Sequence, residues 1–261
     1  MNIVIVGSGN VATHFAHTLY RNGHQILQVY SRQSANAKAL ADAVEAESTT
    51  TFCDLSIDAD LYIIAVSDQA IPNVIAEMPD IKKGIVVHTS GATSLGVLHR
   101  FSKKGVIYPA QSISKQVNIN MSLIPFGIEA GSDQVYQTIT DLIRPISPHL
   151  FPCNSEQRIA LHVAAVLVNN FSNALFNIAQ QILEREHLAF DLLRPIILET
   201  ANKVQNHLPS EVQTGPAARN DQGTINKHLQ FLSYSNELTE IYQHLSNFII
   251  KSRQKQPFAY E

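Results

Sequence analysis

The feature that most constrains this 261-residue chain lies at its start. Asn2–Val6 is an apolar run too short for a helix, Gly7-Ser8-Gly9-Asn10-Val11-Ala12 follows at once, and a helical pattern covers Val11–Arg21. A Gly-x-Gly-x-x-Ala turn between a strand and a helix is the arrangement that lays a pyrophosphate on backbone amides. Gly7 permits the tight turn, Gly9 has no Cβ to hold a phosphate away, and Ala12 is small enough for the helix to pack on its strand. The anion then meets amides with no partner inside the helix, at the positive end of the helix dipole. Ser8, Asn10 and Val11 complete the predicted cradle.

The same alternation continues downstream. Strands are predicted over Gln25–Tyr30, Leu61–Val66, Ile85–His88, Val106–Tyr108 and Phe126–Glu129, with helices over Ala35–Ala43, Ala70–Glu77 and Asp133–Ile143. Strands that are apolar on both faces and alternate with helices predict an α/β domain with a mostly parallel, doubly wound sheet, the Rossmann arrangement. The texture changes at RPISPHLFPCNSEQ, where Ser155 is placed to cap a helix. Beyond it only helical patterns follow, over Glu156–Glu186, Leu192–Asn206, Gln222–Leu232 and Asn236–Ser252. The expected organisation is therefore residues 1–153 as a nucleotide-binding domain and 154–261 as an all-α domain, with KSRQKQPFAYE a loose end.

Composition narrows the partners. Apolar residues at 45% and charged residues at 16% suit a chain with a sizeable core. A formal charge of −3 argues against nucleic acid, whose phosphates call for a basic excess. Cys53 and Cys153 form no CxxC and lie near no ligand-spaced histidines, so no metal site is expected, and two free thiols point to a reducing, cytoplasmic compartment. The first residues lead straight into a strand, with no basic segment of a signal peptide. Ile159–Leu183 contains no Asp, Glu, Lys or Arg, yet it carries His162, Asn169, Asn170, Asn173 and Asn177. So many polar groups argue against a membrane span and predict a buried helix of a soluble protein.

The end of the second strand selects the dinucleotide. Binders of NAD place a carboxylate about 20 residues past the glycines to hold the ribose hydroxyls. This chain has Tyr30-Ser31-Arg32 instead. A hydroxyl at Ser31 and a planar cation at Arg32 suit the 2′-phosphate of NADP(H). Val66-Ser67 and Ser90-Gly91 follow buried strands and so lie at the carboxyl edge of the sheet, where such folds bind ligands. His88 is either a ligand-facing group or a satisfied histidine below the edge, and Asp68 either a ligand contact or a helix cap.

Taken together, GSGNVA, the strand end YSR, the HTSG run, YPAQSIS at Tyr108–Ser114, HVAAVLVNNF at His162–Phe171 and TGPAARND with its trailing His228 carry a resemblance. The chain resembles Rossmann-like NADP-dependent oxidoreductases that bear a C-terminal helical domain of unknown function, and is more distantly similar to pyrroline-carboxylate reductases and 6-phosphogluconate-dehydrogenase-type enzymes. The resemblance implies an NADP(H)-binding domain and a helical domain through which such proteins form homodimers. Two departures stand out: Asn220-Asp221 where Gly-Asp is expected, and no lysine four residues before an asparagine in the long helix.

Acid–base chemistry must therefore come from other groups. At about 100° per residue, His162, Val166, Asn169, Asn173 and Gln180 share one stripe of the long helix, with Asn170 at its margin. Neutral amides in place of Lys and Glu suit a cleft or an interface better than water. His162 and His88 are the candidate proton-transfer groups, with Asn170 and Ser90 orienting them. Asn169 is a candidate substrate contact, Arg219 either a contact for an anionic substrate group or a structural partner of Asp221 or a carbonyl, and Asp221 a cap for the helix that carries His228. The expected function is hydride transfer to or from a small polar molecule in an interdomain cleft. The alternatives are a non-catalytic NADP(H) sensor and, less in keeping with Ser31-Arg32, a Rossmann-type methyltransferase.

Overall fold

The computed structural model of the protein describes residues 1–113 and 119–254; Ser114 of the Tyr108–Ser114 run and the last part of the tail lie outside them. The chain divides into two compact units, Met1–Phe171 and Ser172–Glu261.

In the first unit the order is β1 (Asn2–Val6), α1 (Asn10–Arg21), β2 (Gln25–Tyr30), α2 (Ser34–Asp42), β3 (Glu47–Thr49), β4 (Leu61–Ile64), α3 (Ile71–Glu77), β5 (Ile85–His88), β6 (Lys104–Pro109), β7 (Phe126–Ala130), α4 (Asp133–Ile143), β8 (Leu150–Pro152) and α5 (Ser155–Val166). The strands form one sheet of order β3-β2-β1-β4-β5-β6-β7-β8. Neighbours run parallel except β6 and β7, which are antiparallel.

Alternation along β1 shows why these strands read as unbroken apolar runs. Ile3 and Ile5 join one core with Phe15, Ala16 and Leu19 of α1 and Ile139 and Ile143 of α4. Val4 and Val6 join the opposite core with Ile71, Val74 and Ile75 of α3. Both faces are covered, so neither can be polar. Strand order departs from the chain order between β1 and β4, and a ligand is expected beyond the carboxyl ends there.

Four sequence expectations need correction. β3 and β8 were not foreseen: each has three residues, too few to show a period. The cap of α5 is Asn154, in a capping box with Gln157, and the Ser155 hydroxyl is used elsewhere. The helix over Ser155–Arg185 is interrupted by a π turn at Leu167–Phe171, so the constant angular step behind the stripe from His162 to Gln180 does not hold through it. Nor is that helix buried. By length and composition it could cross a membrane, yet none of its most apolar window is buried within the chain, and Val163, Val168, Phe171 and Leu175 are exposed. An apolar surface calls for cover, but it does not say which molecule supplies it.

The described residues of the second unit hold helices joined by turns and no strand, with α6 (Ser172–Arg185), α7 (Arg194–Asn206), α8 (Pro209–Val212), α9 (Gln222–Phe231) and α10 (Asn236–Gln254). α10 packs on α9 and on the turn at Ala217–Arg219. Ala217, Ile225 and Leu232 are its only buried apolar residues among those described. Leu192, Ile196, Leu198 and Phe248 stand in the open.

Candidate functional site

The cradle is built by the crossing of β1 into α1. Gly7 has φ of +128°, and a Cβ there would lie 2.3 Å from the Ala65 carbonyl oxygen, so only glycine fits. Its N–H donates to Tyr30 O at 2.8 Å, drawing the ends of β1 and β2 together. Gly9 contrasts with it. A Cβ at Gly9 would meet nothing within 4 Å, so the space above the first turn of α1 is open. Gly9 makes no side-chain cap, and the first turn holds no acidic residue. The amides of Asn10, Val11 and Ala12 thus face that space, with Ala12 packed in the core beneath. The donor set fits a dinucleotide pyrophosphate.

The end of β2 continues this surface. Ser8 Oγ donates to Ser31 Oγ at 2.8 Å, tying the phosphate turn to the strand end. Ser31 is buried, whereas Arg32 is exposed on the adjoining bend. α2 begins immediately afterwards, capped by Gln33 without a side-chain bond. Residues 31–36 contain no carboxylate. A hydroxyl, an exposed guanidinium and a helix N-terminus therefore follow one another at this strand end, the chemistry of a phosphomonoester site.

Beyond β4 and β5 the loops run through Val66-Ser67 and Thr89-Ser90-Gly91. Ser90 Oγ accepts from the amides of Ala92 and Thr93 and donates to Thr93 Oγ1 at 2.9 Å, so its hydroxyl closes its own turn. His88 is fully buried, and its Nδ1 accepts the Ser90 N–H at 3.2 Å. Burial, helped by the charge of Arg158, pushes His88 down to about 4, against a weaker upward pull from the Ser94 backbone. The imidazole is neutral at neutral pH and holds the loop by accepting an amide proton.

Arg158, which no motif announced, organises this loop. Its side chain is wholly buried. One nitrogen donates to Thr93 O at 2.8 Å and more distantly to Ser90 O and Gly91 O; another donates to Glu129 Oε2 at 2.7 Å. Ser155 Oγ donates to the same carboxylate at 2.9 Å and accepts the Leu95 N–H at 3.2 Å. One hint existed in the sequence: a cation in the first turn of a helix opposes the dipole, and so needs another reason to be there.

Tyr108, near the carboxyl end of β6, and His162, on α5, meet over Gly91. Tyr108 Oη lies 3.3 Å from His162 Nδ1, with the rings edge to face at 80°. A Cβ on Gly91 would come within 2.8 Å of both rings. Burial raises the Tyr108 hydroxyl above its ordinary range, opposed by Arg158 and aided by Asp68 and Cys153. Asn169 and Asn170 lie exposed in the π turn. In the second unit Arg219 is exposed, and Asp221 caps α9 through the Thr224 N–H, the bond that chiefly holds its carboxyl below the usual range.

A glycine-rich cradle at the switch point of a doubly wound sheet, with a helical extension, defines a dinucleotide-binding oxidoreductase class. Residues 2–91 match the family described as "NADP oxidoreductase coenzyme F420-dependent", and residues 124–249 match a domain of unknown function, DUF2520. A Bacteroides fragilis protein described as a "putative NADP oxidoreductase" is 36% identical, with 96% of this chain and 98% of that one covered and a TM-score of 0.86. The chain belongs to this NADP oxidoreductase family. Its fold is shared with a reductive aminase from Aspergillus terreus, at 14% identity and a TM-score of 0.72, covering 96% of this chain and 94% of that one. It is shared too with a pyrroline-carboxylate reductase from Streptococcus pyogenes, at 15% identity and a TM-score of 0.63, covering 98% and 99%. No curated protein matches the chain.

Proposed function

We propose that this protein uses NADP(H) to reduce, or in reverse oxidise, a small polar substrate at a C=N or C=O bond. The observation that carries the reading is the joined anion surface: open space over Gly9, the Ser8–Ser31 bond at 2.8 Å, and Arg32 exposed beside it. NADPH, when bound, supplies the hydride. The Gly7–Ala12 turn holds the pyrophosphate, Ser31 and Arg32 take the 2′-phosphate, and Val66, Ser67 and Gly91 line the path of the ribose and nicotinamide. His162 is the proton-transfer group on this reading, while His88 and Ser90 shape the loop beneath. Asn170 is an orienting group and Asn169 a substrate contact. Arg219, taken by itself in the second unit, is a candidate for binding an anionic group. Support for the reaction class comes from the fold relatives, the reductive aminase structure being a complex with NADPH and ethyl-5-oxohexanoate.

A homodimer accompanies this reading. A second copy is the fitting cover for Val163, Val168 and Phe171, because a helix with His162, Asn169 and Asn170 beside them is too polar for lipid. Free Cys53 and Cys153 support a cytoplasmic location.

Calorimetry with NADPH, NADH, NADP+ and NAD+ tests the proposal. Tight binding of NADPH with much weaker binding of NADH is expected, and no heat with any of the four refutes it. Tight NADPH binding with no turnover across imines, ketones and semialdehydes would leave a non-catalytic sensor.

A further inference from the structure

We propose that Tyr108 is the catalytic proton donor of this site and that His162 acts on it as a hydrogen-bonded relay. The inference rests on the oxidoreductase reading and deepens it: Tyr108 hands the proton to the substrate, and His162 takes part in proton transfer by resupplying Tyr108.

Three observations converge. Tyr108 stands near the carboxyl end of β6, next to the loop that follows β5, so its ring is at the edge of the sheet where the nicotinamide path runs. Its Oη sits 3.3 Å from His162 Nδ1, a contact made across 54 residues of sequence. Gly91 presses on both rings, and any side chain there would drive them apart. Gly91, assigned above to the nicotinamide path, thus lies directly against the pair, and Arg158 fixes its loop through the carbonyls of Ser90, Gly91 and Thr93.

The burial that raises the Tyr108 hydroxyl keeps it protonated, as a donor must be. The charged or titratable groups facing it are Arg158, Asp68, Cys153 and His162. His88 does not compete, since its Nδ1 is held by the Ser90 amide. In the step, the substrate's C=X carbon gains a hydride from the reduced nicotinamide and X gains the Tyr108 Oη proton. The C=X π bond and the Oη–H bond break, and C–H and X–H bonds form. The tyrosinate recovers a proton from His162 Nδ1 as the half-buried ring takes one from solvent at Nε2.

Tyr108→Phe keeps the buried ring and removes only the hydroxyl, so it is the test variant, with its melting temperature as the folding control. With NADPH and either pyrroline or cyclohexanone as probe, kcat is expected to fall at least about a hundredfold, while NADPH affinity stays the same. The alkaline limb of the wild-type pH profile should also move or vanish. Unchanged kcat overturns the proposal. A second readout needs no turnover: nitrogen-15 NMR of the imidazoles, with and without NADP+. His162 Nδ1 should give a hydrogen-bonded signal that shifts on adding NADP+ and disappears in Tyr108→Phe. A signal indifferent to both changes overturns the proposal even if neither probe is reduced. Inactivity of the wild type towards the whole imine and carbonyl panel would count against the oxidoreductase reading alone.

Discussion

Arg158 Nη2 and Glu129 Oε2 meet at 2.7 Å, with the arginine side chain fully removed from solvent and the glutamate partly so. This pair joins β7 to α5 and, through the other guanidinium nitrogen, holds three carbonyls of the loop after β5. Removing one partner strands a buried charge, which typically costs about 3–5 kcal/mol. Glu129→Ala should therefore lose about 3 kcal/mol in urea denaturation and loosen NADPH binding as well. A loss under about 1 kcal/mol, the range of surface pairs, would show that water reaches the guanidinium.

The two glycines of the cradle should behave oppositely. Gly7→Ala forces a side chain into positive φ and against Ala65 O, so it should destabilise the fold by more than about 2 kcal/mol. Gly9→Ala has room for its methyl and should melt like the wild type, yet lose at least about tenfold in NADPH affinity. Differential scanning calorimetry and titration calorimetry on the pair separate the two effects.

Arg32→Ala should weaken NADPH by about 2 kcal/mol, the scale of a charge-assisted hydrogen bond, and leave NADH almost untouched. The ratio of the two dissociation constants is the readout. A variant that still prefers NADPH as strongly as the wild type would place the 2′-phosphate elsewhere.

His88 predicts a pH dependence of stability. Its folded-state value lies near 4 against an ordinary 6.5, so between these the unfolded chain binds more protons than the folded one. Stability then rises with pH across that window: the contribution is complete above about 6.5 and is lost as pH falls towards 4, for a total on the order of 3 kcal/mol. Urea midpoints measured from pH 4 to 7 should show this slope, and His88→Gln should flatten it. An unchanged slope in the variant would assign it to other groups.

Val168 is 75% exposed on the uncovered helix. Val168→Asp should convert a dimer into a monomer or an aggregating species, as seen by light scattering after gel filtration, with no change in the melting of the sheet domain. A wild type that is monomeric at micromolar concentration would end the dimer reading.

Much of this was legible beforehand because it is local. The Gly7–Ala12 turn, the Ser31-Arg32 strand end and the Asp221 cap are set by residues within one turn of each other, and short-range sterics and hydrogen bonding leave them few alternatives. The two-sided burial of β1, β4 and β5 was equally readable, since these strands are almost unbroken apolar runs, His88 at the end of β5 being the buried polar exception.

Tertiary structure decided what depends on distant partners. Tyr108 belongs to a motif in the sequence, but only folding brings it to His162. Arg158 looks like a surface cation until Glu129 and three carbonyls close around it, and Ser155 looks like a cap until that same carboxylate claims its hydroxyl. The neutrality of His88 follows from burial that no local pattern records. The charge-free helix makes the same point from the other side: composition demanded that something cover it, and the folded chain left it bare. Chain chemistry specifies local geometry, whereas desolvation and pairing across long sequence distances exist only once the chain has folded.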